Sequence, residues 1–194
     1  MMKFKSFILG LVMVSSVCTV HAQTATRNAA PAASQPKIIV GMMVDQMRWD
    51  YLYRFQNRYT EGGFKRLLRE GFSCENTLID YSPTITACGH TCVYTGSVPA
   101  VHGIVGNGWY ERSIGKEIGC VDDESVNLVG SEKGGTGQSP HNNLATTITD
   151  QLRIASNFQS KTVGVAIKDR ASILPAGHAA TGAFWYNGQD GNFV

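Results

Sequence analysis

The segment Ser82-Pro83-Thr84-Ile85-Thr86-Ala87-Cys88-Gly89-His90-Thr91 runs from a proline turn into small residues and a short helix predicted to end near Gly96. That places the Thr86 hydroxyl at a helix start, where free N–H groups and the positive helix end favour an incoming phosphate anion. A threonine there can attack phosphorus if a base or a metal takes its proton, because the unassisted hydroxyl is a weak nucleophile. It can equally be a plain N-cap. Asp45 closes the apolar run Lys37-Ile38-Ile39-Val40-Gly41-Met42-Met43-Val44 and could hold a hard or borderline cation beside Thr86, or cap the turn into a helix predicted from about Met47. Lys168 and Arg170 stand at alternate positions just past another apolar run. An arginine can grip phosphoryl oxygens with its planar fork of donors; the bland alternative is a pair of solvated charges offset by Asp169. Asn107, between Gly106 and Gly108, can donate an amide hydrogen bond to a phosphoryl oxygen or simply make a turn.

Two other clusters carry weaker signals. Cys88-Gly89-His90-Thr91-Cys92 has the thiol and imidazole groups of a zinc site, but no second Cys/His pair at comparable spacing completes a tetrahedral set. The loop Gly130-Ser-Glu-Lys-Gly-Gly-Thr-Gly137 lacks the spacing and the Lys-Ser/Thr ending of a phosphate-binding P-loop.

The candidate residues need a scaffold. Lys37–Val44 reads as a strand buried on both faces of a parallel sheet, with Asp45 at its carboxyl end. Phe64, Leu67 and Leu68 recur at helical spacing, and Gly71 is expected to stop that helix with a left-handed cap. Leu144, Ile148 and Leu152 mark an amphipathic helix after Ser139-Pro140, and Thr162–Ile167 reads as the next buried strand. Gly182–Gly188 reads as a strand and turn. The order predicts an α/β fold with a largely parallel sheet flanked by helices, whose ligands gather outside the carboxyl ends of the strands.

The 194 residues, 43% hydrophobic with a net charge of +2, suffice for one domain of ordinary size. Lysines and arginines are scattered, so neither nucleic acid nor a membrane surface has an electrostatic footprint. At the amino terminus, Lys3 and Lys5 precede an apolar run from Phe7 to Val20 that ends at Val20-His21-Ala22. This is the layout of a secretory signal peptide, residues 1–22, and the run is shorter than the roughly 20 residues a stable membrane span needs. Residues 23–36, rich in Ala, Thr, Ser and Pro, read as a flexible leader. Cleavage after Ala22 would place the mature protein in the periplasm with four cysteines, 74, 88, 92 and 120, in a compartment where disulfides persist.

Taken together, Met43-Val44-Asp45-Gln46-Met47-Arg48, Pro83–His90, Tyr94-Thr95-Gly96, Pro99-Ala100-Val101-His102-Gly103-Ile104, Gly106-Asn107 and Lys168-Asp169-Arg170-Ala171 resemble alkaline phosphatases of the PafA type. These belong to a superfamily that also holds type I phosphodiesterases and nucleotide pyrophosphatases. The resemblance implies an alkaline-phosphatase-like fold in which Thr86 is the nucleophile and a zinc ligand, Asp45 is a zinc ligand, and Asn107, Lys168 and Arg170 bind phosphate. It further implies two zinc ions, small phosphate monoesters as substrates and a phosphothreonine intermediate; oligomeric state is left open. The family completes its two-metal site with an Asp, a His four positions later, an adjacent Asp-His pair and a further His, none of which is found here. His90, His102, His141 and His178 do not fall on those positions. Residues 37–194 are therefore expected to be the amino-terminal part of a catalytic domain, incomplete at its carboxyl end and binding metal poorly alone. A phosphodiesterase or nucleotide pyrophosphatase would share Asp45, Thr86 and Asn107 without rewarding two extra cations. A non-catalytic secreted binding module is the reading from a different class.

Overall fold

The computed structural model describes residues 36–131 and 134–194; the residues read above as a signal peptide and all but the last residue of the expected leader lie outside them. Contacts divide the chain after Gly41, and every element below belongs to the unit 42–194. Its elements, in order, are α1 (Tyr51–Arg54), a 3₁₀ turn (Gln56–Arg58), α2 (Phe64–Glu70), α3 (Thr86–Thr95), α4 (Pro99–His102), β1 (Gly108–Glu111) and β2 (Lys116–Gly119). They continue with α5 (Ile148–Ala155), β3 (Val163–Ala166), α6 (Asp169–Ala176), β4 (Gly182–Asn187) and β5 (Asn192–Phe193). The α/β class expected from the sequence is the class observed.

The organising unit is β3–α6–β4. Strands β3 and β4 pair in parallel, Val163 opposite Gly182 and Val165 opposite Phe184, and a parallel pair requires a crossover, which α6 supplies. Strand β5 then joins β4 antiparallel, while β1 and β2 form a separate antiparallel hairpin. The helix lies close on the strand because Gly164 has no side chain, and a Cβ there would overlap the Ser172 carbonyl. Ile173 and Leu174 of α6 meet Ala87 of α3, Ile104, Cys120 and Val121 in the core, with Trp109, Ala183 and Trp185 packed around it. The two faces of the sheet differ. Register puts Val163, Val165, Phe184, Tyr186 and Phe193 on one side, and all five are exposed there.

Helix α3 is poor in strong helix formers, yet it buries Thr86, Ala87, Cys88, His90 and Thr91. Its polar side chains fold back on its own carbonyls: the Thr91 and Thr95 hydroxyls donate to Ala87 and Thr91 oxygens at 2.8 and 2.7 Å. Gly96 ends the helix as expected, in the left-handed region at φ +64°.

Three sequence expectations are corrected. Residues 37–44 form no strand: among the described residues no strand pairs with this segment, and Ile38, Ile39, Val40 and Met42 stand exposed. An apolar run becomes a buried strand only when ladders form on its edges. Gly71 does stop α2, but in an extended conformation at φ −98° rather than left-handed; a Cβ there would sit 2.6 Å from the Leu67 carbonyl oxygen. The helix foreseen at 144–152 begins only at Ile148, capped by Thr147, and turns Leu144, Ile148 and Leu152 outward while its buried residue is Asp150. Polar capping, not the apolar stripe, fixes how α5 sits.

Candidate active site

Thr86 is the first residue of α3 but not its N-cap, which is Ile85. Its hydroxyl instead donates to Asp45 Oδ2 at 3.1 Å, across 41 residues of chain. The plain capping role is thereby ruled out for Thr86. The free N–H of Ala87 is satisfied by Asn107 Oδ1 at 3.0 Å. Asn107 therefore does what a capping residue would do, from the turn before β1. With Oδ1 so engaged, its Nδ2 donors are directed away from Ala87 and the residue is exposed.

Lys168 is the N-cap residue of α6, at the carboxyl end of β3. Its Nζ lies 3.7 Å from the Asp45 carboxylate oxygen that Thr86 also meets. Both partners are partly exposed, so the pair itself adds only about 0–1 kcal/mol to stability. Its value is positional, because one carboxylate oxygen gathers a hydroxyl and an ammonium at a helix start. Arg170, two residues on, is tied to Asp169 Oδ1 through Nη1 at 3.2 Å and makes no bond to Thr86, Asp45 or Asn107 among the described residues. It borders, with Lys168, Asp169, Gln138 and Trp185, an open cavity of about 410 Å³. Four of the five candidate residues thus converge around the start of α3, and the fifth stands beside Lys168.

Asp45 and Thr86 present oxygen donors that could hold a metal. Carboxylate and hydroxyl oxygens are donors that zinc accepts, and no cluster of three or more His, Cys, Asp or Glu residues exists among the described residues. The donor types fit, and they amount to two of the usual four. Cys74, Cys88, Cys92 and Cys120 are all unpaired. Burial pushes the Cys88 and Cys92 thiols up, and takes Cys120 to about 12, which keeps them protonated at neutral pH when no metal is bound.

Three of the histidines are occupied with structure. The His90 ring Nδ1 donates to the Thr86 carbonyl at 2.8 Å. His102 is fully buried; its Nδ1 accepts the Ile104 N–H at 3.1 Å, so the other nitrogen carries the proton toward Cys92 Sγ at 3.2 Å. Burial pushes His102 down, favouring this neutral form. His178 leans on Asp150 at 3.4 Å.

Sequence reasoning missed Gln138, whose Nε2 donates to Asp169 Oδ2 at 3.1 Å. No local pattern marks it, since the contact spans 31 residues.

Residues 39–192 match the family model for type I phosphodiesterase / nucleotide pyrophosphatase. The chain is 58% identical over 161 residues, 83% of its length, to alkaline phosphatase PhoV of Synechococcus elongatus, and 53% identical over 191 residues, 98% of its length, to alkaline phosphatase PafA of Elizabethkingia meningoseptica. It spans 29% and 34% of those two proteins, about a third of their length. The crystal structure of wild-type PafA superimposes with a TM-score of 0.78 at 56% identity, covering 84% of this chain and 31% of that one.

Proposed function

The chain belongs to the type I phosphodiesterase / nucleotide pyrophosphatase family, with PafA and PhoV alkaline phosphatases among its close homologues, and from that premise we propose that it supplies the nucleophile and phosphate-binding groups of a zinc-dependent phosphomonoesterase. The observation that carries the reading is the convergence of the Thr86 hydroxyl and the Lys168 ammonium on one oxygen of Asp45. The residues here span about a third of the length of those two relatives, so the activity of a whole protein is part of the proposal.

The ester's phosphoryl group lies against the start of α3 and is attacked by Thr86 Oγ. A bond from that oxygen to phosphorus forms while the bond to the departing alkoxide breaks, and the hydroxyl proton leaves along its hydrogen bond toward Asp45. The alkoxide takes a proton from water. Water then cleaves the phosphothreonine, returning Thr86 and inorganic phosphate. Zinc held by Asp45 and Thr86 would supply Lewis-acid chemistry, making the Thr86 hydroxyl more acidic. The Nδ2 of Asn107, the Lys168 ammonium and the Arg170 guanidinium stabilise charge on the nonbridging oxygens, which suits a dianionic monoester better than a diester. Lys3, Lys5 and the apolar run 7–20 support export to the periplasm.

The test is to mix the full-length protein with zinc and a chromogenic phosphate monoester, quench with acid during turnover and map the peptides by mass spectrometry. A phosphoryl adduct on Thr86 is expected, absent in Thr86→Ala. Turnover without such an adduct would defeat the covalent route, and an Arg170→Ala variant that lost no monoesterase activity relative to diesterase activity would count against the monoesterase reading.

A further inference from the structure

We infer that Asp169 and Gln138 are positioning residues that hold the Arg170 guanidinium at the cavity beside Lys168 and so set how tightly the site grips a phosphoryl group. The inference rests on the phosphate-binding role proposed above for Arg170. Both oxygens of Asp169 are committed. Oδ1 accepts the Arg170 backbone N–H at 2.6 Å and its Nη1 at 3.2 Å; Oδ2 accepts Gln138 Nε2 at 3.1 Å. Gln138 is in turn fixed by a backbone bridge to Asp122, so the chain of contacts runs from a rigid backbone point to the cation. The side chains of Arg170 and Asp169 are only 26% and 24% exposed, and at that degree of shielding the pair keeps more of its attraction than a fully solvated one.

The geometry leaves Arg170 able to work. Guanidinium carries five N–H donors in a fixed fork, of which Asp169 takes one, while Nε is buried with no partner among the described residues. An arginine anchored in this way loses little rotamer freedom when it binds an anion; an untethered one must be ordered by the ligand. The Asp169 charge tempers the cation at the same time, so what the carboxylate contributes is orientation rather than field. Isosteric Asn can keep the acceptor toward Arg170 and, with the Gln138 amide turned over, the bond to Gln138. It should therefore substitute for Asp169 where Ala does not.

The experiment uses the full-length protein with zinc, and reads inhibition by inorganic phosphate together with kcat/KM for a phosphate monoester. Arg170→Ala should weaken phosphate inhibition most. Asp169→Ala should weaken it on the order of tenfold and Gln138→Ala about threefold, the scale of a lost hydrogen bond to a charged and to a neutral-donor partner. Asp169→Asn should stay within about threefold of wild type, and adding Asp169→Ala to Arg170→Ala should change nothing further, because a residue acting through another has no effect once that other is gone. Losses that multiply in the double variant, or an Asp169→Asn variant as impaired as Asp169→Ala, overturn the positioning role while leaving the phosphatase reading intact. Wild-type phosphate inhibition in Arg170→Ala overturns the phosphate-binding role and this inference with it.

Discussion

Asp45 and Asp150 are both carboxylates joined to distant parts of the chain, yet their surroundings are opposite. Asp150 is buried and heavily bonded: it accepts the Thr147 N–H at 2.9 Å and the Ala179 N–H at 2.7 Å, meets His178 at 3.4 Å, and completes a capping box with the Thr147 hydroxyl. Gly177, at φ +82°, passes so close that a Cβ would overlap Thr147 Oγ1 and Asp150 Oδ1. Asp45 has one hydroxyl at 3.1 Å and one ammonium at 3.7 Å, with a third of its side chain open. A carboxylate offers about four lone-pair directions. Where three are taken in a buried setting the group is a staple between α5 and the end of α6, and where more are left spare, beside a hydroxyl and a cation, the group is free to take a ligand.

The sharpest way to break this contrast is Thr86→Ala in the full-length protein. Turnover should fall by roughly 10³-fold or more, beyond the loss of a single transition-state donor, while the thermal midpoint barely moves because Ile85 and Asn107, not Thr86, finish the helix. A large drop in the midpoint would make Thr86 structural after all. Next comes Asp150→Ala, expected to cost about 3 kcal/mol in denaturant unfolding by leaving one buried and one half-buried N–H group unpaired. Asp45→Asn should leave that unfolding curve within about 0.5 kcal/mol and instead lower zinc affinity by roughly 10- to 100-fold in a competition titration; a reversal of these two results would exchange the roles assigned to the aspartates.

The smallest effect is in acid. Burial pushes the Asp150 carboxyl up, but the backbone N–H groups of Thr147 and Ala179, the Thr147 hydroxyl and His178 outweigh it, and the group ends below its ordinary 3.8. A folded value below the unfolded one means that its stabilisation is complete above 3.8 and drains as pH falls from there through the folded value. His102, lowered from 6.5 by burial, has the same sign in a higher window: stability is lost as pH falls below 6.5, when the unfolded imidazole takes a proton the buried one resists. Unfolding free energy followed from pH 7 to pH 3 should therefore decline in two stages, and His102→Gln should remove the first.

Much of the site was legible in the sequence because it sits on local signals. The start and stop of α3 follow from Pro83, the small residues and Gly96, and β3 with Lys168 at its end follows from one short apolar run. What could not be read depends on partners far along the chain. Asn107 caps a helix that begins 21 residues earlier, and Gln138 reaches Asp169 across 31. The apolar spacing of 144–152 promised a buried stripe, but Asp150 and Thr147 form the tighter set of bonds and turn the stripe outward. Run 37–44 shows the same limit, since its composition is that of a central strand and only edge partners would make it one.

The bare side of the three-stranded sheet governs handling in the test tube. Val163, Val165, Phe184, Tyr186 and Phe193 present a contiguous greasy surface to water, of the sort that seeds clumping when many copies are crowded together. The isolated 194-residue polypeptide should precipitate at modest concentration, and a single lysine in place of Val165 should raise its solubility without disturbing Thr86 on the opposite layer's helix.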